Sequence, residues 1–173
     1  MNWKVMGLGM FLTIPSLYFL ARGFDFDPRD LPDAVVGQPA PTFSRPSLEG
    51  YEINLQDLRG SPVVINFWAT WCQPCKVEHG HLIAAAQRFK PKGVAFLGVL
   101  YGDEADPAKR YLKRAGSAYP TLIDDAQSIP IDYGVGGVPE TFVINKEGVI
   151  VKKFTGPVTE AELSSVLESL GFK

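Results

Sequence analysis

The stretch Val63-Val64-Ile65-Asn66-Phe67-Trp68-Ala69-Thr70-Trp71-Cys72-Gln73-Pro74-Cys75 decides the fold. Pro62 opens it, and Val63 to Trp68 forms a continuous apolar run of strand length and β-branched character, which suits a buried central strand. Helical spacing takes over at once. Cys75, His79, Leu82, Ala86 and Phe89 recur at the intervals of one helix face, so the pattern predicts a helix from about Cys72 to Lys90. A Cys-x-x-Cys pair at such a strand-to-helix junction puts the first sulfur where unpaired backbone amides and the helix dipole favour an anion. Cys72 is therefore expected to be a nucleophile towards disulfides. Cys75, one turn later, is expected to attack the mixed disulfide that results, and Pro74 between them stiffens the turn.

Working outward, Val94 to Leu100 reads as a second buried strand. Asp106 is expected to cap a helix with Pro107 at its first position, running through Tyr111, Leu112 and Ala115 to Gly116. Pro120 to Ile123 gives a third strand. Thr141 to Asn145 and Val149 to Phe154 pair as a hairpin through Lys146-Glu147-Gly148. Thr159 and Glu162 form a capping box for a last helix reaching Leu170. Strands alternating with helices, then a terminal hairpin and helix, predict an α/β fold with a central mixed sheet flanked by helices.

A chain of 173 residues has room for one ordinary domain with a full core, besides any targeting segment. Its formal net charge of -2 provides no basic field for nucleic acid. Two cysteines leave no thiols for a structural disulfide framework or a four-ligand zinc site. His79 and His81 stand two apart on one helix and point away from each other, so they do not complete a metal set. No cofactor and no metal is expected.

The uncharged run from Val5 to Ala21, between Lys4 and Arg22, sits at the short end of a transmembrane helix, with Trp3 and Tyr18 placed to lie in the interfaces. A cleaved signal peptide is the rival, but a cut after Ala21 would put bulky Phe19 where a small residue is needed. Residues 1–22 are thus expected to be a transmembrane signal anchor and residues 23–34 a linker, with the folded domain spanning residues 35–173.

Glu78 lies three residues beyond Cys75, beside the apolar stripe. It reads either as the group that takes the Cys75 proton during resolution or as a solvated helix glutamate. His79 reads as a partly buried packing residue and His81 as a surface one. In Gly136-Gly137-Val138-Pro139-Glu140-Thr141 the proline stands at the mouth of a strand, where the residues alone allow either peptide isomer. With a cis bond, the Val138 backbone would face Cys72 and could pair with an extended substrate segment.

These features resemble the thioredoxin superfamily over nearly all of Val35 to Lys173. More narrowly the chain looks like the membrane-anchored cytochrome c maturation thioredoxins (the CcmG or DsbE type), with ResA and TlpA as close relatives. The likeness rests on Val36-Gly37-Gln38-Pro39-Ala40-Pro41-Thr42-Phe43, on Cys75-Lys76-Val77-Glu78-His79, and on Tyr133-Gly134-Val135-Gly136-Gly137-Val138-Pro139-Glu140-Thr141-Phe142. It implies an extracytoplasmic thiol-disulfide oxidoreductase, held by a single pass in the inner membrane with its domain facing the periplasm. That protein would keep the haem-binding Cys-x-x-Cys-His of apocytochrome c reduced and would itself be recharged by a membrane thiol transporter of the DsbD or CcdA type. It further implies a cis Pro139, Glu78 and Glu140 lining a groove near the cysteines, and a substrate surface of Trp71, Val138, Pro139 and Glu140. One departure bears on redox potential, which the dipeptide between the cysteines tunes: Gln73-Pro74 stands where this type often carries Pro-Thr. The competing functions are a disulfide oxidoreductase of the ResA or TlpA type with another substrate, an oxidase of secreted proteins, a peroxiredoxin, and a copper chaperone of the Sco type. The last would want cysteines separated by three residues and a distal histidine, which this chain lacks.

Overall fold

The computed structural model describes Trp3, Phe11, Thr13, residues 15–18 and residues 34–172. The chain divides into two compact units, Met1–Pro32 and Asp33–Lys173. In the first, the described residues are helical and exposed. Most of the expected anchor, Val5 to Ala21, lies outside the described residues, as does nearly all of the linker. Among the described residues no helix is long and apolar enough to cross a membrane.

The second unit is built on a five-stranded sheet. A small antiparallel ribbon, β1 (Ser44–Pro46) with β2 (Glu52–Asn54), precedes it. Then come β3 (Val63–Trp68), α1 (Gln73–Phe89), β4 (Ala95–Leu100), α2 (Ala105–Ala115), β5 (Thr121–Leu122), α3 (Ser128–Asp132), β6 (Glu140–Ile144), β7 (Ile150–Thr155) and α4 (Glu160–Ser169). The order across the sheet is β5-β4-β3-β6-β7. β3 is central and buried at every position, as its continuous apolar run requires. It pairs in parallel with β4 and antiparallel with β6, so the sheet is mixed.

Strand alternation decides what each face sees. Val64, Phe96 and Val143 turn towards Leu82, Ala85, Ala86 and Phe89 of α1 and Leu163 and Leu167 of α4. Burial of a Leu or Phe side chain in such a layer contributes about 1.5–3 kcal/mol. Ile65, Phe67, Leu97, Val99 and Phe142 turn the other way, against Phe43, Ile129 and Tyr133. Tyr133 is fully buried, edge-on to Phe142, and donates its hydroxyl to the Pro41 carbonyl at 3.0 Å. Asn66 and Trp68 share the α1 face with Val64, and that parity sets up the site.

The strands, the hairpin and the Thr159/Glu162 capping box stand where the pattern put them. Three details differ. α2 begins at Ala105 behind Glu104, so Asp106 is inside its first turn rather than at its cap, and no side chain caps it. On α1 the fully buried member between Cys75 and Leu82 is Glu78, and His79 is only partly buried. The ribbon β1–β2 and the five-residue α3 have no periodicity long enough to announce them.

Candidate active site

Parallel β3 and β4 have their C-terminal ends side by side, and the chain leaving β3 turns there into α1. The Cys72 amide donates to the Ala69 carbonyl at 3.2 Å, closing that turn. Cys72 is the N-cap of α1, extended in its backbone, and its sulfur accepts the Cys75 amide at 3.1 Å. A capping position normally taken by Ser, Thr or Asp is thus filled by sulfur. Pro74 stands in the first turn, where its missing N–H costs no hydrogen bond. The two sulfurs are joined in a disulfide, with Cα atoms 5.3 Å apart. Both cysteines are nearly buried in a cluster with Leu48, Trp68, Ala69, Leu100 and Ala108.

Glu78 follows one turn later on the same side of α1 as Cys75. It is 1% exposed, which removes the solvated-glutamate reading. Its Oε1 accepts from Asn66 Nδ2 at 2.8 Å and its Oε2 from the Val158 amide at 2.9 Å. Asn66 also donates to Thr141 Oγ1 at 2.9 Å, so its orientation is fixed by β6. Burial pushes the Glu78 carboxyl from its ordinary 4.5 up to about 7, against the opposing pull of the Val158 and Asn66 hydrogen bonds. A small cavity beside Cys75 is lined by Asn66, Trp68, His79, Leu112, Tyr119 and Thr121. An acid that gains and loses its proton near neutrality therefore lies one helical turn from the second sulfur.

The bond Val138–Pro139 is cis. Pro139 is buried, and Val138, half-buried, packs against the cluster that holds both cysteines. Trp71 is 59% exposed beside Cys72. Glu140, expected to line the groove, is instead 3% exposed. Its Oε1 accepts from the Gly136 amide at 3.2 Å, and Lys153 Nζ stands 3.0 Å from Oε2, off the directions of a hydrogen bond, as an ion pair. It therefore supports the loop before Pro139 from beneath rather than facing a substrate. His79 is half-buried, bonded to the Gly116 carbonyl at 2.9 Å and edge-on to Tyr111, and His81 is exposed. Asn66 and Lys153 were not singled out from the sequence. The lone polar side chain within Val63–Trp68 is a signal that could have found the first, whereas Lys153 looks like any outward residue of a hairpin.

The model of the AhpC/TSA family matches residues 36–153. The chain belongs to that family. Within it, the thiol:disulfide interchange protein DsbE of Pseudomonas aeruginosa is 37% identical over 159 residues, covering 90% of this chain and 85% of the relative. The thiol-disulfide oxidoreductase ResA of Bacillus anthracis is 36% identical over 154 residues, covering 88% and 87%. Among solved structures, a thiol:disulfide interchange protein of the thioredoxin family from Chlorobium tepidum superposes with a TM-score of 0.71 at 25% identity, covering 76% of this chain and 94% of that one. The family, its thioredoxin-like fold and the paired cysteines make this protein a thiol-disulfide oxidoreductase.

Proposed function

We propose that the protein is an extracytoplasmic reductant of protein disulfides, acting on the Cys-x-x-Cys-His disulfide of apocytochrome c. The observation that carries the redox reading is the Cys72–Cys75 disulfide closing the first turn of α1, with a carboxyl of pKa about 7 buried behind Cys75. The Val138-Pro139-Glu140-Thr141-Phe142 resemblance and relatives bearing the name DsbE support the choice of substrate.

In the reduced protein the Cys72 thiolate, favoured by the α1 amides, attacks one substrate sulfur, and the other leaves as a thiolate. Cys75 then gives its proton to the Glu78 carboxylate and attacks Cys72 Sγ. The substrate sulfur bonded to Cys72 departs as a thiolate, the Cys72–Cys75 disulfide forms, and two electrons have passed to the substrate. Val138 offers backbone to an extended substrate segment, with Trp71 and Pro139 flanking it. A membrane thiol transporter of the DsbD or CcdA type returns the electrons. Residues 1–22 anchor the chain in the inner membrane with the domain in the periplasm, and fractionation of the intact chain with membranes tests that placement.

A Cys75→Ser variant stalls at the mixed disulfide. Captured from cells, it should carry apocytochrome c. Capture of many unrelated secreted proteins without apocytochrome c would overturn the proposed substrate.

A further inference from the structure

Trp71 combines exposure with a fixed hydrogen bond. The residue is 59% exposed, yet its Nε1–H is not left to solvent but donates to the Gly102 carbonyl at 3.1 Å. An exposed indole tied in this way is held in one orientation by that bond before any partner arrives. Its support can be traced residue by residue into the core. Gly102 lies in the loop after β4, and its amide donates to Gln127 Oε1 at 2.8 Å. The other end of that side-chain amide, Nε2, donates to the Asp124 carbonyl at 2.7 Å, and the Gln127 backbone amide donates to the same oxygen at 2.9 Å. Asp124 is 2% exposed, its carboxylate accepting the Ile129 amide at 2.7 Å and pairing with Arg45 Nε at 3.1 Å.

Gln127 is also, among the described residues, the non-glycine with a positive φ, at 53°. A turn that needs only this backbone is served without strain by glycine. A glutamine there accepts a local conformational cost, and what glycine lacks is the side-chain amide that bridges Asp124 to Gly102. A second tie links the same loops, from the Thr70 amide to Asp103 Oδ2 at 2.5 Å. The loop after β4 is therefore held from the Asp124 turn and in turn holds the two residues that precede Cys72.

We infer that Gln127 is a positioning residue that, through Gly102, fixes the Trp71 indole as a rigid docking face for the disulfide-bearing segment of the protein substrate. A pre-ordered aromatic surface binds with less loss of side-chain entropy than a free one, so the benefit falls on binding and not on sulfur chemistry. The inference rests on the proposal that Trp71 contacts the substrate, and the variants below separate the two.

The test uses the purified full chain in detergent, with an oxidised Cys-x-x-Cys-His peptide as substrate and dithiothreitol as the electron donor that re-reduces Cys72–Cys75. Gln127→Gly keeps the positive φ and removes only the bridging amide. It should raise the KM for the peptide about fivefold, the factor corresponding to one hydrogen bond of ordinary net strength, with kcat within about twofold of wild type. The hydrogen exchange of the Trp71 indole N–H, assigned by comparison with Trp71→Phe, should speed up, and the melting temperature should not fall. Trp71→Ala should raise KM by at least as much. An unchanged KM in Gln127→Gly beside a raised KM in Trp71→Ala would overturn the inference and leave the docking role of Trp71 standing. An unchanged KM in Trp71→Ala would overturn that docking role and the inference with it. A joint fall of kcat and melting temperature in Gln127→Gly would make Gln127 merely structural and also overturn it.

Discussion

Replacing Glu78 by Gln should uncouple the stability of the oxidised protein from pH in the near-neutral range. In the unfolded chain this carboxyl titrates at its ordinary 4.5, and in the fold, where burial disfavours its charge, at about 7. Between those values the native chain holds more protons than the unfolded one. Its contribution to stability is therefore full below about pH 4.5, is lost as pH rises through about 7, and is constant above that. The distance from 4.5 to about 7 corresponds to about 3 kcal/mol. Glu78→Gln removes this pH dependence but adds a fixed defect. Asn66 Nδ2 and the Val158 amide both donate to the side chain, and an amide offers one oxygen for the two donors. That mismatch costs about 1–3 kcal/mol. Urea denaturation across pH should therefore find the variant less stable than wild type near pH 4.5, with the difference moving by about 3 kcal/mol in the variant's favour by pH 8, so that the gap closes or reverses. In rapid-mixing experiments the same variant should accumulate mixed disulfide, because Gln cannot take the Cys75 proton. A stability gap that stays constant with pH would refute the buried-acid reasoning, and an unchanged resolving rate would refute the proton transfer.

Three further outcomes follow from particular contacts. In the reduced protein, iodoacetamide should label Cys72 before Cys75, since only Cys72 occupies the N-cap of α1, and peptide mapping of a brief pulse would read it. Lys153→Met would leave the 4%-exposed Glu140 carboxylate without its cation and should destabilise by about 3–5 kcal/mol. Adding Glu140→Gln should recover part of that loss, as a denaturation series would show. Gly98→Ala would place a methyl 2.8 Å from Thr121 Oγ1 and 2.9 Å from Trp68 Nε1, so it should cost about 1–3 kcal/mol and alter Trp68 fluorescence.

The fold was legible where one physical requirement governs a long segment. β3 is buried on both faces, so its apolar run reads directly as a central strand, and the abrupt change of period at Cys72 marks the start of α1. The Thr159/Glu162 box is equally local. Asp106 misled because an acid before proline suits a cap, whereas Asp103 and Glu104 shape the loop that α2 leaves, Asp103 accepting the Thr70 and Glu104 amides. The cysteines were legible from spacing alone. The state of Glu78 was not, because it depends on Asn66 from β3 and Val158 beyond β7 closing over it, contacts far apart in sequence. Glu140 was misplaced for the same reason: its partner, Lys153, comes from the neighbouring strand β7.

The direction of electron flow tests the account most directly. The purified chain, equilibrated with defined dithiothreitol or glutathione buffers and quenched by alkylation, gives the potential of the Cys72–Cys75 couple. A reductant should lie well below the roughly -120 mV of the strong oxidant DsbA and near the roughly -270 mV of thioredoxin, a difference of about 7 kcal/mol. A potential close to -120 mV would contradict the account and make the same site an oxidase.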